Sequence, residues 1–112
     1  MQNSLRPFRK KTECTLEGIS QLLDMPYGST LSRCERQRRK PTIEIIFAYH
    51  IIFNVPIEDL CPEEAERTQK KIAKNIHPLV QRLEQLEKTR KNKARIEFLH
   101  SLKTLIETQN HE

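Results

Sequence analysis

The sequence predicts an all-α fold: five short helices making one compact domain over 1–62, then helices over 63–112 that form a hairpin or coiled-coil-like appendage. Three observations predict it. Apolar residues recur three and four apart through most of the chain, which places them on one side of a helix. Prolines and small hydroxylated residues fall between those runs, where helices start and stop. From Pro62 onward the composition shifts to long charged side chains, with no aromatic residue until Phe98.

Leu5 and Phe8 give the first helical spacing, with Ser4 as cap and Pro7 in the first turn, where a missing amide is tolerated. Thr15 caps the second helix by accepting from an amide near Glu17 or Gly18. Ile19, Leu22 and Leu23 continue it until Asp24-Met25-Pro26, because Pro26 has no donor and holds Met25 extended. A third helix is expected there, with Pro26 in its first turn and Leu31 and Cys34 as its buried stripe. Gln37 to Lys40 is a basic loop ended by Pro41. Thr42 then caps a fourth helix running to about Phe53, whose Ile43, Ile46, Phe47, His50, Ile51 and Phe53 make it the main core helix. Asn54 closes it in left-handed geometry, and Pro56 opens a last turn, Ile57 to Leu60.

The second half is simpler. Residues 63–76 carry only a narrow apolar edge of Ala65, Ile72, Ala73 and Ile76, and Pro78 is expected to restart the pattern. Leu79, Leu83 and Leu86 alternate spacings of four and three, as a helix-helix seam does. The seam resumes as Ile96, Leu99, Leu102 and Ile106, with Phe98 and Leu105 alongside, so a link near Lys91-Asn92 folds the two helices into a hairpin.

Composition bounds the function. At 112 residues, with 36% hydrophobic residues, the chain has room for one small helical core and an appendage. The net charge of +5 favours a polyanionic partner, and nine Lys or Arg against four acids in 1–40 place the excess around the second and third helices. Three separated cysteines without CxxC spacing, and no apolar leader, point to free thiols in a cytoplasmic setting. Cys14, Cys34 and His50 read as core residues in preference to a metal or redox sensor. No metal or other cofactor is expected. No stretch is apolar enough to span a bilayer. Nucleophile elbow, phosphate loop and HExxH are all missing, so an enzyme is not expected.

Residues 15–42 read as a helix-turn-helix whose second helix enters the major groove of double-stranded DNA. With the helices placed, residues 4–61 resemble the Cro/C1-type (lambda-repressor-like) family of phage repressors and bacterial regulators. Arg9 and Glu35 fall where that family pairs an arginine of helix 1 with a glutamate ending helix 3. The segment Glu35 to Thr42 resembles its E-x-G-x-x-x-P-S/T, and Asn54 to Leu60 its closing G-V-x-L-x-x-L. Asp24 and Gln37 stand where the family has glycine, and the spacing from Asp24 to Glu35 is one residue longer, an insertion near Tyr27-Gly28. The resemblance implies an ion pair between Arg9 and Glu35, and a sequence-specific regulator of transcription, repressor-like, reading DNA through helix 3.

The candidate DNA-binding residues are Tyr27, Gly28, Ser29, Thr30, Ser32, Arg33 and Arg36 on that helix. Arg38, Arg39 and Lys40 follow where backbone phosphates pass. Arg33, beyond the insertion, carries base or phosphate contact best, since a guanidinium bonds guanine or phosphate bidentately. Tyr27 either bonds a phosphate or covers the edge of the core. The seam of Leu79, Leu83, Leu86, Ile96, Leu99, Leu102 and Ile106 is expected to make a homodimer, presenting two reading helices to half-sites about 34 Å apart. The alternative is a protein-interaction module, such as an antitoxin or anti-regulator, whose C-terminal helices hold a second protein.

Overall fold

The computed structural model describes residues 2–110; Met1 and the last two residues of the 63–112 segment lie outside the described residues. Every regular element among them is a helix: α1 (Leu5–Lys11), α2 (Leu16–Leu22), α3 (Ser29–Glu35), α4 (Ile43–Phe53), α5 (Ile57–Leu60), α6 (Pro62–Glu84) and α7 (Arg90–Asn110). They make two compact units divided after Glu66. The division falls four residues later than expected because α6 starts without a linker: Ala65 donates to the carbonyl of buried Cys61 at 3.0 Å.

In the first unit Leu5, Ile19, Leu31, Cys34, Tyr49 and Leu60 are fully buried, and together they draw on all five short helices. Thr15 and Thr42 cap α2 and α4 as expected, Oγ1 accepting from Gly18 at 2.9 Å and from Ile45 at 3.3 Å. Ser4 does not cap α1 with its side chain. Asn3 does that work from one residue upstream, its Oδ1 accepting from the Leu5 amide at 3.2 Å.

Four helix ends close on a left-handed residue that is not glycine: Glu13, Asp24, Gln37 and Asn54, with φ between 52° and 65°. After α2 the Asp24 amide bonds Gln21 and the Met25 amide bonds Ser20; after α3 Gln37 bonds Cys34 and Arg38 bonds Arg33. Both are Schellman closures, which satisfy the last carbonyls of a helix.

Three further expectations for this unit are corrected. α3 begins at Ser29, with Pro26 and Tyr27 in the turn before it and not in its first turn. Leu22 faces outward at 65% exposure, and Leu16 packs on the core in its place. α4 is the core helix, and Ile46 and Phe53 pack against the core as expected, but its buried residues are Ile45, Ala48 and Tyr49, and Ile43 and Ile51 are left about three-quarters exposed at 74% and 73%. Its apolar residues run nearly all the way round, so their spacing selects no face. The choice falls to Tyr49, whose hydroxyl reaches Glu35.

The second unit is a helical hairpin. Ile76 and Val80 of α6 pack against Leu99 and Ile106 of α7, with Leu83, Ile96 and Leu102 partly buried beside them. α6 runs unbroken through Pro78, contrary to the expected restart; Pro78 lies on an exposed face, where the carbonyl left without its amide can bond water. The link is also earlier than expected, at 85–89. Thr89 Oγ1 accepts from the Asn92 amide at 3.1 Å and Asn92 Nδ2 donates to the Glu87 carbonyl at 2.8 Å, which puts Lys91 and Asn92 inside the first turn of α7.

Candidate nucleic-acid interface

The position of α3 is set from beneath by one carboxylate. Glu35, in the last turn, has a side chain only 3% exposed, and Arg9 of α1 meets it twice, Nε to Oε2 at 2.7 Å and Nη2 to Oε1 at 2.9 Å. The Tyr49 hydroxyl donates to Oε2 from α4, also at 2.7 Å, and Arg9 Nη1 donates to the Cys14 carbonyl at the entrance to α2. Four elements therefore converge on one charge that has every neighbour it needs. The Glu35 hydrogen bond pushes the Arg9 guanidinium above its ordinary value, and burial, reinforced by the same carboxylate, pushes the Tyr49 phenol well up. Both groups are held in the forms the network requires.

Arg33, on the outer side of α3, begins a cationic run that continues past the helix end. Arg33, Arg36, Arg38, Arg39 and Lys40 are all exposed, and none makes an ion pair with a described residue. The only acid within 33–40 is Glu35, which faces inward. Five cations without an acidic partner among the described residues thus run from Arg33 in the last turn of α3 through its C-cap Arg36 into the loop at 38–40.

The end of α3 carries a clamp. Gln37 Oε1 accepts from the Asn3 amide at 2.9 Å while Nε2 donates to the Asn3 carbonyl at 3.0 Å, so the side chain pairs with main chain as a neighbouring strand would. Asn3 Nδ2 donates in turn to the Cys34 carbonyl at 2.9 Å, and the Ser4 amide bonds the Leu60 carbonyl at 2.7 Å. Glutamine in left-handed geometry is strained relative to glycine. The two bonds to Asn3 offset that strain and account for the side chain at this position.

Of the residues expected to contact DNA, Arg33, Arg36, Arg38, Arg39 and Lys40 share the exposed cationic surface, and Ser29 and Tyr27 are also exposed, Tyr27 at 74%. Tyr27 therefore does not cover the core edge. Thr30 and Ser32 are half-buried. Gly28 caps α3 and lies against α2, where a Cβ would sit at an ordinary contact distance of 3.4 Å from both Leu16 Cβ and Ser20 Oγ. Asn3, Gln37 and Tyr49 were not among the expected site residues. Asn3 was legible as a cap residue before a helix; no local pattern links Tyr49 to Glu35.

Among the described residues no group of three or more His, Cys, Asp and Glu is placed to hold a metal, and no helix is long and apolar enough to cross a membrane. His50 Nδ1 donates to the Val55 carbonyl at 2.6 Å, and burial pushes the Cys34 and Cys61 thiols up. Compared with protein-family models, curated proteins and solved structures, the chain finds no match.

Proposed function

We propose that this chain is a sequence-specific, double-stranded-DNA-binding regulator of transcription, repressor-like, with the Cro/C1-type helix-turn-helix arrangement over α1–α5. α3 lies in the major groove. The observation that carries the reading is the contrast between the two sides of that helix. Glu35 on the inner side is bound by Arg9 and Tyr49, whereas Arg33 on the outer side, and Arg36, Arg38, Arg39 and Lys40 directly past the helix end, have no acidic partner among the described residues. Arg33 reads base edges, and Arg38, Arg39 and Lys40 grip phosphates.

Selection of bound duplexes from a random pool, followed by a salt titration on the winner, tests this. The expected result is enrichment of one short sequence, with log affinity falling by roughly 0.9 per log unit of salt for each phosphate neutralised. Arg38→Ala weakens all duplexes alike, whereas Arg33→Ala flattens the preference among them. A pool that stays random after selection overturns the reading. The alternative, a protein-interaction module of the antitoxin or anti-regulator kind, is supported by the apolar side that the hairpin leaves open.

A further inference from the structure

The seam expected to join two chains is largely used within one. Leu83, Ile96, Leu99, Leu102 and Ile106 pack inside the hairpin, and only Leu79 and Leu86 of the expected set remain exposed, at 38% and 52%. Yet the hairpin exposes further large apolar residues: Ile72 at 43%, Phe98 at 64% and Leu105 at 54%. Ile72 and Leu79 are seven apart on α6, as are Phe98 and Leu105 on α7, so each pair forms one stripe along its helix, and Leu86 follows in the link at 85–89. A groove of about 460 Å³ lined by Leu79, Leu83, Ala94, Arg95, Phe98 and Leu99 shows that the two stripes flank the same side.

The rest of the α7 stripe can also be dried. At the positions that continue the spacing of three and four from Phe98 and Leu105 stand Ala94, Ser101 and Thr108. Ser101 Oγ donates to the Glu97 carbonyl at 3.1 Å and Thr108 Oγ1 to the Thr104 carbonyl at 2.9 Å, so both hydroxyl protons are already bonded within the helix.

We infer that this side of the hairpin, centred on Leu79, Phe98 and Leu105, binds the same side of a second copy of the chain, and that the two hairpins close into a four-helix bundle. Three features select a second copy as the occupant. Phe98 projects beside the groove it lines, so one surface carries both a knob and a hole, which is what a two-fold contact requires. The stripes from Ile72 to Leu79 and from Phe98 to Leu105 are each about 10 Å long, and with Leu86 in the link the five half-exposed large side chains supply roughly 500 Å² of apolar surface per copy. With the flanking small residues that approaches the ~800 Å² per partner of a standard interface. Finally, a hairpin whose buried apolar residues number only four, Ile76, Val80, Leu99 and Ile106, has too thin a core for a unit of this size, and a second layer thickens it.

The test uses the full chain without nucleic acid, so its outcome is separate from that of the DNA reading. Light scattering over a concentration series is expected to give twice the 13.3 kDa chain mass at micromolar concentration. Phe98→Glu and Leu105→Glu each weaken association at least 100-fold with the helical circular dichroism retained, and His100→Ser, off the stripe, changes nothing. Should a glutamate variant fail to fold, hydrogen exchange of the unaltered protein decides: amide protection across 94–108 rises with concentration. A monomer at every concentration overturns the inference, whether the stripe is exposed, covered by the chain itself or reserved for another protein. So does a dimer unaffected by either glutamate, which would place the contact elsewhere, for instance on Ile43, Phe47 and Ile51.

Discussion

The first unit folds around a charge and the second around none. In 2–66 the buried carboxylate of Glu35 on α3 accepts from Arg9 of α1 and Tyr49 of α4, and Arg9 also donates to the Cys14 carbonyl at the entrance to α2. In 67–110 the interior is aliphatic, and the hydrogen bonds beyond the helices gather at the link, on Asn92. Charge is distributed in the opposite sense. Residues 1–66 carry nine Lys or Arg against ten acids, and 67–112 carry eleven against five, so the positive excess belongs to the hairpin and not, as the charge count over 1–40 suggested, to the helices around α3. Net charge therefore does not locate the candidate interface. What distinguishes 33–40 is segregation: its cations face out while its one acid is turned inward and bound.

Removing that acid is the most severe way to break the comparison. Glu35→Ala strands Arg9 and Tyr49, and should cost the first unit about 3 kcal/mol, as loss of one partner of a buried pair does; urea unfolding of the full chain measures it. Nothing comparable is available in the hairpin, where the largest expected change has the opposite sign. Pro78→Ala restores the missing amide of α6 and should stabilise the hairpin by about 2 kcal/mol, visible as a raised thermal midpoint.

Tyr49→Phe keeps the packing and deletes one bond to Glu35, a loss of about 1.5 kcal/mol. Its pH dependence sharpens the point. Burial raises the Tyr49 phenol above its ordinary value of 10.0, so its contribution is fully present below that value and is lost as pH rises beyond it. The phenylalanine variant should show a shallower alkaline loss of stability than the parent. Smallest are the two left-handed positions. Asp24→Gly should gain about 1 kcal/mol by relieving strain, whereas Gln37→Gly should come out near zero because the same relief is offset by loss of the two Asn3 bonds. Equal gains at both sites would remove the clamp from the account.

Caps and breaks were readable wherever a short-range bond decides them. Thr15, Thr42 and Asn54 act on amides or geometry within a few residues, and their types alone announce it. What escaped the sequence depends on partners far along the chain. α4 offers apolar residues on nearly every side, so its inward face is chosen by Tyr49 meeting Glu35, fourteen residues away. Pro78 signals a break that a solvent-facing ring does not enforce. The leucine seam of the second half was visible, but whether it closes within one chain or between two turns on which side of α7 meets α6, and both sides carry apolar residues. Among the candidate contact residues, Arg33, Arg36 and Arg38 to Lys40 were legible as a cationic run.

The bond pair between Asn3 and Gln37 has a practical corollary. Asn3 is bonded to Gln37, next in sequence to Arg38, so a bulky purification handle fused ahead of residue 3 starts close to the basic run even while the fold stays intact. Cleaving such a handle and comparing duplex affinity before and after would report on occupancy of that surface without changing a single native side chain.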